Sequence, residues 1–377
     1  MEKNNKTLNV PNLRFPEFSG EWEKIRFENA VTLQRGSSPR PIIEFITKSC
    51  NGVNWVKIGD MPKYGRLVTC TEEKITKEGA KKSRHVNIGD LILSNSMSYG
   101  QPYIMGIEGY IHDGWFVLKK YGNTFDRDYL CNLLISPAIQ NQYRRLAAGG
   151  VVQNISSDLV NSVFVSMPSL KEQQKIASLL NLIDDRIATQ RKIIEKYESL
   201  IRGLCEKLTR QGDTNKSINE CLECHSSTLQ ESEVLETGRY PVYGAIGVCG
   251  YTDTPDVSGD GILIIKDGAS VGVTYFADGS YSSIGTLNRL TAKKGINLRY
   301  VYYCIKVMNF APYKTGLAIP HIYFKDYGKH KIWCPSYEQQ SRIADALTNI
   351  DNKIHVEKLL LEQLNSQKRY MLNQLFI

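Results

Sequence analysis

Side chains able to hold phosphate or read a base edge gather in a few short stretches of this 377-residue chain. Arg, Lys, Asn and Gln offer donors and acceptors to groove edges, while Lys, Arg, Ser and backbone amides grip phosphate oxygens. Near the start these are Arg35, Ser37 and Arg40, then Lys81, Lys82 and Arg84, then Asn95, Ser96, Tyr99 and Gln101. Gly150 with Gln153 and Asn154 adds a loop that exposes its backbone. Farther on come Tyr240 and Tyr243, Lys266, Asn288 and Arg289, Lys314 and His321. Taken singly, each is also what a solvated loop contains, and Tyr240 and Tyr243 also suit a turn or a core.

Catalytic chemistry is harder to find. Gly244 to Gly250 is glycine-rich but lacks the Lys-Ser/Thr of a phosphate loop, so a tight β-turn pair is expected. Cys221-Leu222-Glu223-Cys224-His225 has haem-attachment spacing, yet no second Cys-x-x-Cys could complete a zinc site, and structural thiols are expected. Pro255-Asp256 followed by Lys266 resembles a nuclease metal site, except that Ile264 stands where the second carboxylate belongs. There is no His-Glu-x-x-His. Nor is there an Asn/Asp-Pro-Pro-Tyr/Phe run, which an amino-methyltransferase needs to hold a flipped base. The expectation is a chain without catalysis of its own, binding no metal or cofactor.

The elements that must position these residues are written twice. Pro168 to Arg210 recurs as Pro335 to Ile377, at an offset of 167 with no gap. Repeats are read before anything else. Ser169 with Glu172, and Ser336 with Gln339, form capping boxes at helix starts. Behind them Ile176, Leu180, Ile183, Ile187 and Ile194 recur three and four apart, matched by Ile343, Leu347, Ile350, Ile354 and Leu361. That is a heptad seam, broken by Gln190, Glu357 and Lys368. Two long paired helices are predicted, the stretch from Ile176 to Leu208 spanning about 48 Å. A β-rich region precedes each. Gly89-Asp90-Leu91-Ile92-Leu93 is echoed by Gly259-Asp260-Gly261-Ile262-Leu263, and Tyr129-Leu130 by Arg299-Tyr300, both at an offset of 170. Gly149 and Ile155 are echoed by Gly316 and Ile322 at 167. The organisation read from this is an arm (1–20), two α+β domains (21–166 and 211–333) and two helices (167–210 and 334–377).

Composition narrows the class. No run of about 18 apolar residues exists, and the first ten residues are polar, so neither a membrane span nor a secretory signal is expected and the cytoplasm is. Nine scattered cysteines suit reduced thiols. The net charge of +8 is uneven: residues 1–166 carry 21 Lys/Arg against 16 Asp/Glu, whereas residues 211–333 carry 12 of each. Any basic face in the second region must be local.

The chain resembles the specificity subunit of type I restriction–modification enzymes. The carriers are Leu13-Arg14-Phe15-Pro16-Glu17-Phe18 with Gly20 and Trp22, Pro168-Ser169 with Glu172-Gln173 and Ile176-Ala177, and their second copy, Pro335-Ser336 with Glu338-Gln339 and Ile343-Ala344. The resemblance implies two target recognition domains reading a bipartite double-stranded DNA target. It implies that the two helices pair antiparallel, act as a ruler and hold two modification subunits, with restriction subunits joining the larger complex. S-adenosylmethionine, ATP and Mg would then serve the partners. A coiled-coil adaptor binding only proteins, or a stand-alone DNA-modifying enzyme, are the competing readings.

Overall fold

The computed structural model describes residues 9–96, 100–147, 155–316 and 318–377. These form two compact units, Met1–Arg191 with Leu360–Ile377, and Lys192–Leu359. Both are α+β.

In the first unit a five-stranded sheet runs in the order Thr32–Arg35, Trp115–Lys119, Leu91–Ser94, Pro102–Met105, Leu67–Val68. Its middle strands are apolar on both faces, as a sheet buried on two sides requires. Leu91, Leu93, Phe116 and Leu118 face a helical layer built on Arg127–Ile135 and Pro137–Ala147. Ile92, Trp115 and Val117 face a second five-stranded sheet, in the order Ile46–Thr47, Glu73–Ile75, Val53–Val56, Gly109–Ile111, Arg84–Val86. The second unit repeats this with four-stranded sheets. Leu222–Ser226, Leu287–Ala292, Gly261–Ile265 and Thr274–Ala277 form one. Gly247–Thr252, Tyr240–Gly244, Ser280–Ser283 and Val257–Ser258 form the other. The glycine-rich run is the hairpin between Tyr240–Gly244 and Gly247–Thr252, with Gly247 at φ +96°.

The offset of 170 expected inside the domains is corrected to 171. Leu91 and Leu93 face the helices, and so do Ile262 and Ile264, not Gly261 and Leu263. A shift of one residue exchanges the two faces of a strand, so burial settles the register. The domain helices agree: Asp126 caps Arg127–Ile135 by accepting from Tyr129 N at 2.9 Å, and Asn297 caps Leu298–Lys306 by accepting from Tyr300 N at 3.0 Å. Tyr129 therefore answers Tyr300, and both are fully buried. Their hydroxyls donate to equivalent carbonyls, Ser166 and Trp333.

The long helices are Leu170–Thr209 and Tyr337–Gln374. Within the first unit the start of one meets the end of the other: Ile183 and Ile187 pack on Leu364, Leu361 and Met371. Within the second unit the order is reversed, Ile201 and Cys205 packing with Ile343, Leu347, Ile350 and Ile354. The pairing is thus antiparallel. The expected seam is used in two ways, because Ile176 and Leu180, with Leu372 and Leu375, also join the core of the first domain, as Ile343 and Leu347 join that of the second. Ile194 is buried as well. The polar breaks are accommodated: Gln190 and Glu357 are buried at equivalent positions, and the Lys368 ammonium, pushed down by burial, pairs with Asp184.

The capping boxes are half as expected. Ser169 and Ser336 hydroxyls accept from Glu172 N and Gln339 N, each at 3.4 Å. The Glu172 carboxylate is committed elsewhere, accepting from Arg14 at 2.8 and 2.9 Å and from Trp22 Nε1 at 3.3 Å. It thereby pins the arm carrying Leu13 to Phe18, whose Leu13 N also donates to Gln374 O at 3.0 Å.

One contact recurs with the same atoms in both units. Gln173 Oε1 accepts from Asp126 N at 2.9 Å, and Gln340 Oε1 accepts from Asn297 N at 2.8 Å. Their Nε2 groups donate to Pro168 O at 3.0 Å and Pro335 O at 2.9 Å. Gln173→Ala and Gln340→Ala are each expected to cost about 1–3 kcal/mol, since backbone partners lose their bonds in a buried place. A denaturant melt of each variant measures this, and an unchanged midpoint would contradict it.

Candidate nucleic-acid interface

In the first unit, residues distant in sequence converge on the turn Ile111 to Gly114, which leads into Trp115–Lys119. Gly36 N donates to Trp115 O at 2.8 Å and Ser37 N to Ile111 O at 3.2 Å. Gly36 must lack a side chain, since a Cβ there would sit 2.0 Å from His112 O. Arg35 Nε donates to Asp113 O at 3.2 Å, Arg84 Nε to Arg35 O at 3.2 Å, and Ser37 Oγ to Lys82 O at 3.1 Å. Arg35, Ser37, Arg40, Lys82 and Arg84 thus gather beside Asp113, and Lys81 is exposed at the end of the adjoining helix Lys77–Lys81.

The electrostatics leave that surface available. The Ser38 hydroxyl first, with the nearby Arg40 adding to it, holds the Asp113 carboxyl below its ordinary value. Arg40 lies 3.6 Å from Asp113, and its side chain is 83% exposed. An exposed pair of this kind is worth about 0–1 kcal/mol, so the guanidinium can exchange it for a phosphate. Lys82 Nζ sits 4.6 Å from the centre of the Phe45 ring.

Other expected contacts are placed differently. Asn95 is 4% exposed and donates to Asp113 O at 2.8 Å, so it shapes the turn instead of meeting a base. Ser96 lies beside it and lines the cavity next to Arg40. Gln101 faces a different cleft, with Tyr103, Arg66 and Lys368. Tyr99, Gly150, Gln153 and Asn154 lie outside the described residues. Sequence reasoning missed His112 and Asp113. The His-Asp-Gly run just ahead of an apolar strand was the available signal, because Asp-Gly marks tight turns.

The second unit places its candidates at the corresponding strand end. Lys266 follows Gly261–Ile265, and Ile322 N donates to Lys266 O at 2.9 Å. In the first unit Ile155 N donates to Asn95 O at 2.7 Å in the same way. Both isoleucines are buried. The loop carrying Lys314 is closed by Thr315 and His321, which exchange backbone bonds of 2.9 and 2.8 Å. His321 Nδ1 stands 2.7 Å from Asp267 Oδ1. Lys266, Lys314 and His321 therefore gather together. Arg289 lines a polar cleft with Ser226 to Gln230. Asn288 is corrected to a structural role: it is 5% exposed and accepts from Ser226 Oγ at 3.2 Å. Tyr243 is likewise a packing residue, its ring edge-on to Tyr281 at 5.7 Å. Tyr240 shares its strand, in the other sheet, and does not join the Lys266 group.

The buried thiols belong to the scaffold. Burial pushes Cys131 and Cys205 up to about 11 and Cys221 to about 12. Cys224 and His225 lie on the strand Leu222–Ser226, where successive side chains point to opposite faces. Among the described residues no cluster of three His, Cys, Asp or Glu side chains could hold a metal ion, and no helix is long and apolar enough to cross a membrane.

Known proteins share this plan. The putative type I restriction enzyme MjaX specificity subunit of Methanocaldococcus jannaschii is 24% identical over 357 residues, covering 84% of this chain and 83% of that protein. The type I restriction enzyme EcoprrI specificity subunit of Escherichia coli is 20% identical over 323 residues, covering 79% and 80%. The crystal structure of the S subunit of a type I restriction–modification system from M. genitalium superposes with a TM-score of 0.66 over 98% of this chain and 99% of that one, at 18% identity. Residues 20–199 and 214–366 each match the type I restriction modification DNA specificity domain, and the chain belongs to that family, carrying the domain twice.

Proposed function

We propose that this chain is the DNA-reading subunit of a type I restriction–modification complex, with one half-site of a bipartite target read by residues 21–166 and the other by residues 211–333. The observation that carries this is a backbone anchor repeated at matching strand ends, Ile155 to Asn95 and Ile322 to Lys266. The anchor is the same twice while the side chains around it differ, as two readers of unlike sequences require. Phosphates would be held by Arg35, Arg40, Lys82 and Arg84 in one domain and by Lys266 and Lys314 in the other.

The long helices set the unread spacer and receive two modification subunits. Exposed apolar side chains on their outer faces support a docking role: Leu182 (63%), Val356 (55%), Leu359 (46%) and Tyr370 (60%). Methyl transfer and cleavage, with S-adenosylmethionine, ATP and Mg, belong to the modification and restriction partners. This chain supplies recognition without catalysis, in the cytoplasm.

The purified chain with modification subunits should bind one bipartite sequence, and protein association without sequence-specific DNA binding would make it a mere adaptor. Arg40→Ala and Lys82→Ala should each lower the salt slope of DNA binding by about 1 and weaken all sequences alike. Gel shifts across a salt series test this, and unchanged slopes remove both from the interface. Deleting or inserting one helical turn in both long helices should change the spacer length recognised. Methylome sequencing of cells carrying such variants reads the spacer directly, and an unaltered spacer contradicts the role given to the helices.

A further inference from the structure

Each unit has a cavity by the loop that leaves the first strand of its helix-packed sheet, and the two differ in place and lining: the first opens toward Val53–Val56 and Glu73–Ile75, the second toward Val257–Ser258 and Ser280–Ser283. In the first unit the cavity lies between the loop leaving Thr32–Arg35 and the turn entering Trp115–Lys119, with a volume of about 480 Å³. In the second it lies by the loop leaving Leu222–Ser226 and the strand Leu287–Ala292, with about 510 Å³. The turns correspond: Trp115 N donates to His112 O at 3.2 Å, and Leu287 N to Ile284 O at 3.1 Å.

The first cavity is walled by Pro39, Ile42, Ile46, Trp55 and Ile58. Its rim offers donors. Gly114 N donates to His112 Nδ1 at 2.8 Å, which leaves the neutral ring's proton on Nε2. Burial pushes the His112 pKa below the ordinary imidazole value, so the ring is neutral at pH 7. The Ser96 hydroxyl stands on the same rim. Asp113 Oδ1 takes the Ser38 hydroxyl at 2.7 Å, and Glu73 Oε1 pairs with Lys57 at 2.9 Å. The second cavity is polar instead, lined by Ser226, Thr228, Gln230, Asp256, Ser283 and Arg289.

In the major groove thymine shows one acceptor, O4, beside a C5-methyl group. Guanine shows two acceptors and no methyl, while adenine and cytosine present an amino donor that needs a free acceptor. Apolar walls under a rim of donors match the C5-methyl group and O4 of thymine. We propose that the cavity of the first unit selects thymine through its C5-methyl group, and that the cavity of the second unit reads its half-site by hydrogen bonds without a methyl contact. This rests on the DNA-reading function proposed above.

The test uses the full chain with its modification subunits and duplexes carrying the mapped target. Each thymine is replaced in turn by deoxyuridine, which lacks only the methyl. An iron chelate tethered to exposed Cys50, in a Cys70→Ser background, marks by cleavage the half-site lying on the first unit. One thymine there should show binding weakened about three- to five-fold on losing its methyl, and none in the other half-site should respond. Ile42→Ser should bind the thymine and uracil duplexes alike, while Ile42→Val keeps the preference. If Ile42→Ser does not fold, the uracil series on the unaltered chain still decides. Full indifference in the first half-site, absence of thymine from it, or methyl sensitivity in the second overturns the assignment. A complex that binds no defined sequence overturns the DNA-reading function itself.

Discussion

The fold depends on a buried side-chain amide at the start of each long helix. Gln173 is fully buried and Gln340 is 1% exposed. Each takes the first amide of a domain helix cap on its oxygen and gives its nitrogen to the carbonyl of the proline that precedes the long helix. A neutral amide suits this place because it donates and accepts at once. A carboxylate could only accept, and its burial without full pairing would be costly. The orientation of each domain on its own helix is therefore set by directional bonds as well as by apolar packing.

A second tie follows three turns farther along the same face. Asp184 and Asp351 are the same residue of the repeat, yet they meet different cations. Asp184 pairs with Arg66 at 3.3 Å and with Lys368, while Asp351 pairs with Lys306 at 3.0 Å. Arg66 comes from a loop that also reaches Asn132 at 2.6 Å, whereas Lys306 ends the domain helix itself. The acid on the helix is constant and its partner is drawn from whatever the local domain supplies. The strand ends at Asn95 and Lys266 follow the same division, each receiving the amide of a buried isoleucine while the side chains beside it differ. Such an arrangement lets the surface around Asp113, or around Lys266, change without disturbing the contacts that hold each domain to its helix.

The sequence by itself determined the repeated frame. An ungapped offset of 167 over Pro168 to Arg210, heptad spacing and a Ser ahead of each helix are local signals, and local signals survive without tertiary context. Tertiary structure alone decided what each polar residue faces. Glu172 looks like half of a capping box until Arg14 and Trp22 are seen to take its carboxylate. Asn95 and Asn288 have the chemistry of base readers, but burial turns both into turn and strand supports. The register inside the domains moved by one residue because two apolar faces make a strand ambiguous, and only the helices packed on Leu91 and Ile262 resolve it. The gathering of these residues around Asp113 was invisible for the same reason: they lie up to about eighty residues apart, and it takes the pairing of Trp115–Lys119 with Thr32–Arg35, and of Gly109–Ile111 with Arg84–Val86, to bring them together.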